Sequence, residues 1–435
     1  MQSVKPHLWM SLAWVALASA ANAVAVTPVA SAAPAVLADD APSQALVDAA
    51  VQKACALLLS NQELYVPDPP VGVLPDDELT GWQAKEGGRL AGLRSASAGE
   101  GREWPYEGVY RVGPDGRIPP GYRVGGTAIV CEALFAAPGF DDARRQAVLR
   151  GVVFMLDMIA DDPGLAARAQ TAYDVRGWGQ AYALSFFVRA GGQGLFAGDE
   201  QLATRVGEAI PELIGRLAAG QLKGGGWNYA GRSSSSPFMT GATLLALFSA
   251  RAAGHDVDAG MVARALDALE AGRGASSAYA YSGSSGKRPE PMQGAAARSA
   301  MAELALFLGG RSDAERLAAT VDGFLAEQNW QALLQRKSQQ GTHKPPFGVA
   351  PYYFFFGHTY AAVAAEHLPE PSRAARRERM RVLLWRTLEQ RGGWNDRVFP
   401  RTESYSTAMA VLALLAPRLP PQPRWQAAEP EAEAK

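Results

Sequence analysis

Two kinds of helical segment alternate along the chain. In the first, apolar residues recur at helical spacing on one face. Val262, Ala263, Leu266 and Leu269 take one side of such a segment, and Arg264, Asp267 and Glu270 the other. The second kind, such as Thr243 to Phe248, is apolar nearly all round, as a helix enclosed on most sides must be. Gly and Pro are kept largely to the aromatic-rich stretches between segments, where they break no helix. Ala, Leu, Arg and Glu dominate the amphipathic segments, and this favours helix over strand.

The alternation predicts six hairpins, each an outer amphipathic helix, a loop and an inner apolar helix. The first has an outer helix over 45–59, a long loop with Trp104-Pro105-Tyr106, and an inner helix opened by Gly125-Gly126-Thr127. The second runs from Asp142 to Met158, then through Gly177-Trp178-Gly179-Gln180 into 181–190. The third has a helix over 201–220, the turn Gly224 to Tyr229, and a helix over 240–253. The fourth begins near Asp258, passes Tyr279-Ala280-Tyr281 and resumes at Gly294. The fifth spans Asp313 to Gln335, then Gly357-His358-Thr359-Tyr360. The sixth starts near Ser372, crosses Gly392-Gly393-Trp394-Asn395 and ends in Tyr405 to Ala416. Inner helices thus begin about every 50 to 60 residues, a repeat-fold period. The reading is all-α: an (α/α)6 toroid of about six helix-hairpin repeats over 45–417, with a disordered tail over 418–435. An open solenoid is the other way to stack the hairpins. The ring is favoured because the end units have no extra polar, capping character.

Composition changes this picture little. With 42 Lys+Arg against 43 Asp+Glu the chain has no basic excess, so a nucleic-acid partner is not expected. Lys5, the apolar run Leu8 to Ala18 and the Ala21-Asn22-Ala23 site read as a signal peptide over 1–23, followed by an Ala/Val/Pro-rich linker over 24–44. The expected location is therefore periplasmic or secreted, with no integral membrane domain in the mature chain. An uncleaved anchor is the other reading of the same residues. The two cysteines, Cys55 and Cys131, fit either one disulfide or two buried thiols.

Gly225-Gly226-Trp227-Asn228 followed by Pro237 to Thr240, and Gly392-Gly393-Trp394-Asn395 followed by Tyr405 to Ala408, resemble the repeats of the protein prenyltransferase and squalene cyclase superfamily. The resemblance extends over about residues 45–417 and implies an α6–α6 toroid with a central cavity. Its catalytic signatures are absent. The acidic clusters Asp76-Asp77-Glu78 and Asp161-Asp162 lack the Asp-x-Asp-Asp spacing of the cyclases. Cys131, Glu132 and His358 do not reproduce the Asp, Cys and His zinc set of the transferases. No cofactor and no metal are expected, and no phosphate loop or nucleophile elbow is present.

Candidate chemistry gathers where the inner helices begin. Trp104, Tyr106, Trp178, Trp227, Asn228, Trp394 and Asn395 offer aromatic and amide groups. Asp174, Arg176, His358, Tyr360, Glu403 and Tyr405 add charged and polar ones. If the inner helices share one polarity, these residues surround one mouth, where helix N-termini favour an anionic group. The competing reading is architectural: Gly permits the turn, Asn satisfies the loop backbone and Trp wedges between hairpins. The expectation is an unknown ligand, apolar, peptide or glycan, held in the cavity or at its mouth. A polysaccharide lyase or hydrolase, or an atypical terpenoid cyclase, is the alternative.

Overall fold

The computed structural model describes residues 41–65, 102–106, 118–162, 165, 175–229, 233–284, 290–337, 347, 353–397 and 401–426. The signal peptide read over 1–23 lies outside them, as do Asp76-Asp77-Glu78 and Asp174. Among the described residues there are thirteen α-helices: α1 (Gln44–Ser60), α2 (Pro120–Ala136), α3 (Asp142–Asp161), α4 (Arg176–Gly192), α5 (Glu200–Ala219), α6 (Pro237–Ala252), α7 (Ala259–Ala271), α8 (Met292–Leu308), α9 (Ala314–Leu325), α10 (Glu327–Arg336), α11 (Tyr353–Ala365), α12 (Ser372–Trp385) and α13 (Glu403–Leu415). No strand occurs among them beyond the isolated bridges Glu63–Glu103 and Arg273–Tyr279.

The even-toned apolar segments form the inside of the molecule. α2, α4, α6, α8, α11 and α13 pack each on the next, and α13 packs back on α2. Six inner helices therefore close a ring, flanked by α1, α3, α5, α7, the α9–α10 pair and α12. The fold is an (α/α)6 toroid, and the contact of last with first excludes the open solenoid. Sequence dictates the layering. Every residue of α8 from Gly294 to Leu308 is buried, whereas amphipathic α5 buries only its Leu202, Val206, Ala209, Ile210, Leu213, Ile214 and Leu217 stripe. Glycines let inner helices approach closely. A Cβ at Gly125 would lie 2.3 Å from the Trp178 ring, and one at Gly357 would lie 2.9 Å from Ala297 Cα.

The two ends of the ring differ. Inner helices lead to the next outer helix through the short connections 137–141, 193–199, 253–258, 309–313 and 366–371. Outer helices return through 61–119, 162–175, 220–236, 272–291, 337–352 and 386–402. All the long connections thus meet the inner helices at their N-terminal ends. Capping follows the same division. Ser43, Asp141, Asp199, Asp258 and Asp313 cap the outer helices α1, α3, α5, α7 and α9 with their side chains. The N-caps of inner α2, α4, α6, α8 and α13 make no side-chain capping bond.

Three features depart from the sequence reading, and a fourth, the state of the cysteines, chooses between its alternatives. α4 begins at Arg176, so Trp178 is helical, and α11 begins at Tyr353 rather than at Gly357. The fifth outer segment is broken at Ala326, whose backbone is extended, and the Asn329 side chain donates to Gly323 O at 2.6 Å across the break. Cys55 and Cys131 are buried free thiols, and burial raises both above the ordinary thiol range. Finally, residues 419–426 of the expected tail pack on the ring. Trp425 donates its backbone N–H to Leu308 O at 2.9 Å, and Arg424 lies 4.3 Å from the Phe307 ring centre.

Candidate functional site

Three of the Trp residues named from sequence share one geometry. The backbone N–H of Trp104, Trp227 and Trp394 donates to the hydroxyl of Thr127, Thr240 and Thr407, each at 3.0 Å. Their indole N–H groups donate to the outer-helix carbonyls of Leu58, Leu217 and Leu384, at 2.7, 2.8 and 2.9 Å. Each indole is buried and tied to both helices of its hairpin. The preceding glycines make room: Gly225 has φ 83°, and a Cβ there would lie 2.1 Å from Arg264 O. These tryptophans fasten the outer helix to the inner helix within each hairpin, an architectural role, though by bonds inside a hairpin rather than as a wedge between hairpins. Asn395 accepts from Arg397 N at 2.7 Å within its own loop, whereas Asn228 accepts from Tyr229 N at 2.8 Å and donates to the Ser282 hydroxyl of the next hairpin's loop at 3.1 Å.

The fourth and fifth hairpins replace these bonds. In the fourth, Tyr279 N–H donates to the Ser299 hydroxyl at 3.2 Å, and its phenol donates to buried Glu303 at 2.6 Å. In the fifth, Trp330 donates its indole N–H to His358 Nε2 at 2.9 Å, while His358 Nδ1 bonds Phe354 O at 2.7 Å. Both imidazole nitrogens are thus occupied, and burial lowers the ring's pKa to about 4. His358 is a neutral core residue packed among Phe324, Phe354 and Phe355. Among the described residues no group of three or more His, Cys, Asp and Glu is placed to hold a metal ion.

Tyr106, Trp178, Tyr360 and Tyr405 belong instead to an aromatic column on the ring axis. Tyr106 stacks on Tyr405 with ring centres 4.3 Å apart, and Trp178 lies 5.6 Å from both Tyr106 and Tyr122. Trp178 then meets Tyr182 at 5.1 Å, and the Tyr182 hydroxyl meets the Tyr360 hydroxyl at 2.8 Å. Since α4 and α11 are opposed in the ring, this last bond crosses the axis. The column continues through Phe356, Phe238 and Tyr353, at 4.6, 4.4 and 4.9 Å between successive rings. Burial raises the Tyr182, Tyr360 and Tyr405 phenols well above their ordinary range, so all three are neutral donors and acceptors.

On the loop-bearing side lies a paired set of charges, set against the outer helix α3, where Arg123 is 5.1 Å from the Phe154 ring centre. Arg123 reaches Glu103 through Nε at 2.8 Å and through a terminal nitrogen at 2.5 Å. Arg401 pairs with Glu63 at 3.2 Å, and the Tyr65 ring lies between the two guanidiniums, 4.6 Å from Arg123 and 5.2 Å from Arg401. Burial raises the Glu103 carboxyl, against the lowering effect of Arg123. Glu403, the first residue of α13, is buried, accepts from Asn61 at 3.0 Å and pairs with Arg391 at 3.2 Å. Arg176 is half-buried at the start of α4. Sequence reasoning missed Glu63, Tyr65, Tyr122, Arg123 and Tyr182. The i, i+4 pairs Trp178–Tyr182 and Phe356–Tyr360 on inner helices were the available signal for the column.

No family model and no curated protein matches the chain. Among solved structures it is similar to a D-mannose isomerase (13% identity, TM-score 0.48, covering 88% of this chain and 100% of that one). It is also similar to an unsaturated glucuronyl hydrolase from Streptococcus agalactiae (13%, TM-score 0.47, 81% and 96%) and a type II terpene cyclase from Scytonema (14%, TM-score 0.42, 86% and 99%). With every TM-score below 0.5, these likenesses add nothing to the ring that the chain's own helix contacts define.

Proposed function

We propose that the protein is a glycan-binding toroid that takes an acidic saccharide at the loop-bearing mouth. The observation that carries this reading is the chemistry gathered there: the phenols Tyr65, Tyr106, Tyr122 and Tyr405 lie with the pairs Glu103–Arg123 and Glu63–Arg401. Aromatic faces stack on sugar rings, and the uncapped N-termini of the inner helices favour an acidic substituent. A second reading, an enzyme on the same scaffold, is favoured by Glu103. It is a buried carboxyl with a raised proton affinity beside a cation, as acid–base chemistry uses. We place the protein outside the cytoplasm because Lys5, the apolar run Leu8 to Ala18 and Ala21-Asn22-Ala23 follow the pattern of an export signal. Among the described residues no helix is long and apolar enough to cross a membrane.

One preparation tests all of this. Protein exported by its own signal is weighed intact and titrated with neutral and uronate-containing oligosaccharides while Trp fluorescence and product release are followed. The expected result is a chain beginning at Val24, with saturable quenching by the acidic oligosaccharides. Turnover abolished by Glu103→Gln would convert the binder into an enzyme. A co-purifying isoprenoid or lipid, with no response to any saccharide, would overturn the glycan reading.

A further inference from the structure

The ring has a second polar interior at its other end. Past its first turn, the body of α4 is half-buried only at Tyr182, Ser185 and Arg189. α11 is half-buried only at Tyr360 and Val363, with His367 just past its end. Both sets advance by three and then four residues, so each is one helix face. Both begin at the tyrosines that meet across the axis at 2.8 Å. The free surface of these side chains therefore opens into the lumen on the C-terminal side of the tyrosine pair. On the N-terminal side Trp178, Phe238, Phe356 and Tyr405 fill the lumen and are buried.

Groups from α2, α4, α11 and the C-terminal segment border this half of the lumen. Glu132 of α2 pairs with Arg189, and each side chain is about one-fifth exposed. Glu132 Oε2 and Arg189 Nε are shielded from solvent and have no hydrogen-bond partner. Such groups are costly to folding while unmet. The far end is crossed by the C-terminal segment, which leaves α13 and reaches α6 and α8 on the opposite wall. There the Ser249 hydroxyl donates to Gln422 at 3.3 Å, and the Trp425 ring lies 5.6 Å from that of Phe248.

We propose that this half-lumen is a binding chamber for a neutral polyhydroxylated molecule of monosaccharide size. Size follows from the helix rise: from the tyrosine pair to Arg189 is seven residues, or about 10 Å. Neutrality follows because Glu132 and Arg189 cancel, so a charged guest would bring an uncompensated charge into the lumen. The carbonyl ends of all six inner helices face this end and disfavour an anion in particular. Hydroxyls follow because Tyr182, Ser185 and Tyr360 both donate and accept, and the Glu132–Arg189 pair offers one acceptor beside one donor. The chamber stands independently of the glycan reading at the opposite mouth.

Isothermal titration of the mature protein with myo-inositol and D-glucose tests it, with D-glucuronate as the charged control. Ser185→Phe and Val363→Phe fill the chamber from opposite walls, and their helical circular dichroism reports folding. We expect one neutral probe to bind one-to-one, and any D-glucuronate binding, which belongs to the opposite mouth, to be the same in the filled variants as in the wild type. A filled variant that still folds should bind the neutral probe about tenfold more weakly or worse. Crystals soaked in the probe test the chamber without a variant, and density between Tyr182 and Arg189 supports it. No saturation by either neutral probe, unchanged affinity in a folded filled variant, density only elsewhere, or D-glucuronate binding that is lost in the filled variants would each overturn it.

Discussion

At the residue scale, the clearest consequence of the structure concerns His358, because its two nitrogens are bonded in a way that only the neutral ring satisfies. Nε2 must accept from the Trp330 indole, and Nδ1 must carry the proton given to Phe354 O. In the unfolded chain the ring titrates near 6.5, and in the fold near 4. The unfolded state therefore binds more protons between these values. His358's contribution to stability is complete above about pH 6.5 and is lost as pH falls toward 4, by at most about 3 kcal/mol. Denaturant unfolding of the wild type and of His358→Phe should show this as a difference. The gap between the two free energies should narrow on going from pH 7.5 to pH 4.5. A gap independent of pH would mean that the ring is already solvated or charged in the fold. The same residue shows why a lone histidine near an inner helix start reads ambiguously in sequence: its partner, Trp330, comes from an outer segment whose break at Ala326 the helical pattern does not betray.

At the element scale, the inner and outer helices use glycine for opposite reasons, and substitution should separate them. Gly125 lies on α2 where it meets α4, and an added Cβ would sit 2.3 Å from the Trp178 ring, itself held between Tyr122 and Tyr182. Gly125→Ala should therefore lower stability by about 1–3 kcal/mol through overpacking. Gly207, on the outer helix α5, has nothing within 4 Å of the equivalent point. Gly207→Ala should raise stability by about 0.5–1 kcal/mol through helix propensity alone. Thermal melts of the two variants check both signs, and a stabilising Gly125→Ala would contradict the close approach of α2 and α4. Much of this scale was legible in the chain. The Gly-Gly-Trp turns and the threonine 13 residues beyond Trp227 and Trp394 mark hairpin and fastening together, because the bonds that join them are local. The aromatic column was only half legible. Tyr182 and Tyr360 stand 178 residues apart and meet only because a ring places α4 opposite α11. The pairs Glu63–Arg401 and Asn61–Glu403 were not legible at all, since they join the two ends of the domain.

Those last pairs bear on how the whole molecule holds together. In an open stack of hairpins each unit touches only its neighbours, and the end units fray independently. Here the first unit is also the neighbour of the sixth. Lys53 donates to Gln390 O at 2.8 Å, Arg418 pairs with Asp48 at 2.8 Å, and Leu57 packs where a Cβ on Gly393 would lie, 2.3 Å from its Cδ2. Every inner helix then has two inner neighbours, and opening the seam converts two middle units into two ends. Leu57→Ala removes part of the apolar contact across the seam at a cost of about 2–5 kcal/mol. If closure makes the ring one cooperative unit, that loss is shared. Native-state hydrogen exchange should show protection falling by a similar factor in α2, α6 and α11, although α6 lies on the far side from the substitution. Protection lost only in α1 and α13, with α6 unchanged, would mean that the toroid is closed in shape but folds as a chain of separable hairpins. In that case the long connections at the loop-bearing mouth would rest on units able to open one at a time.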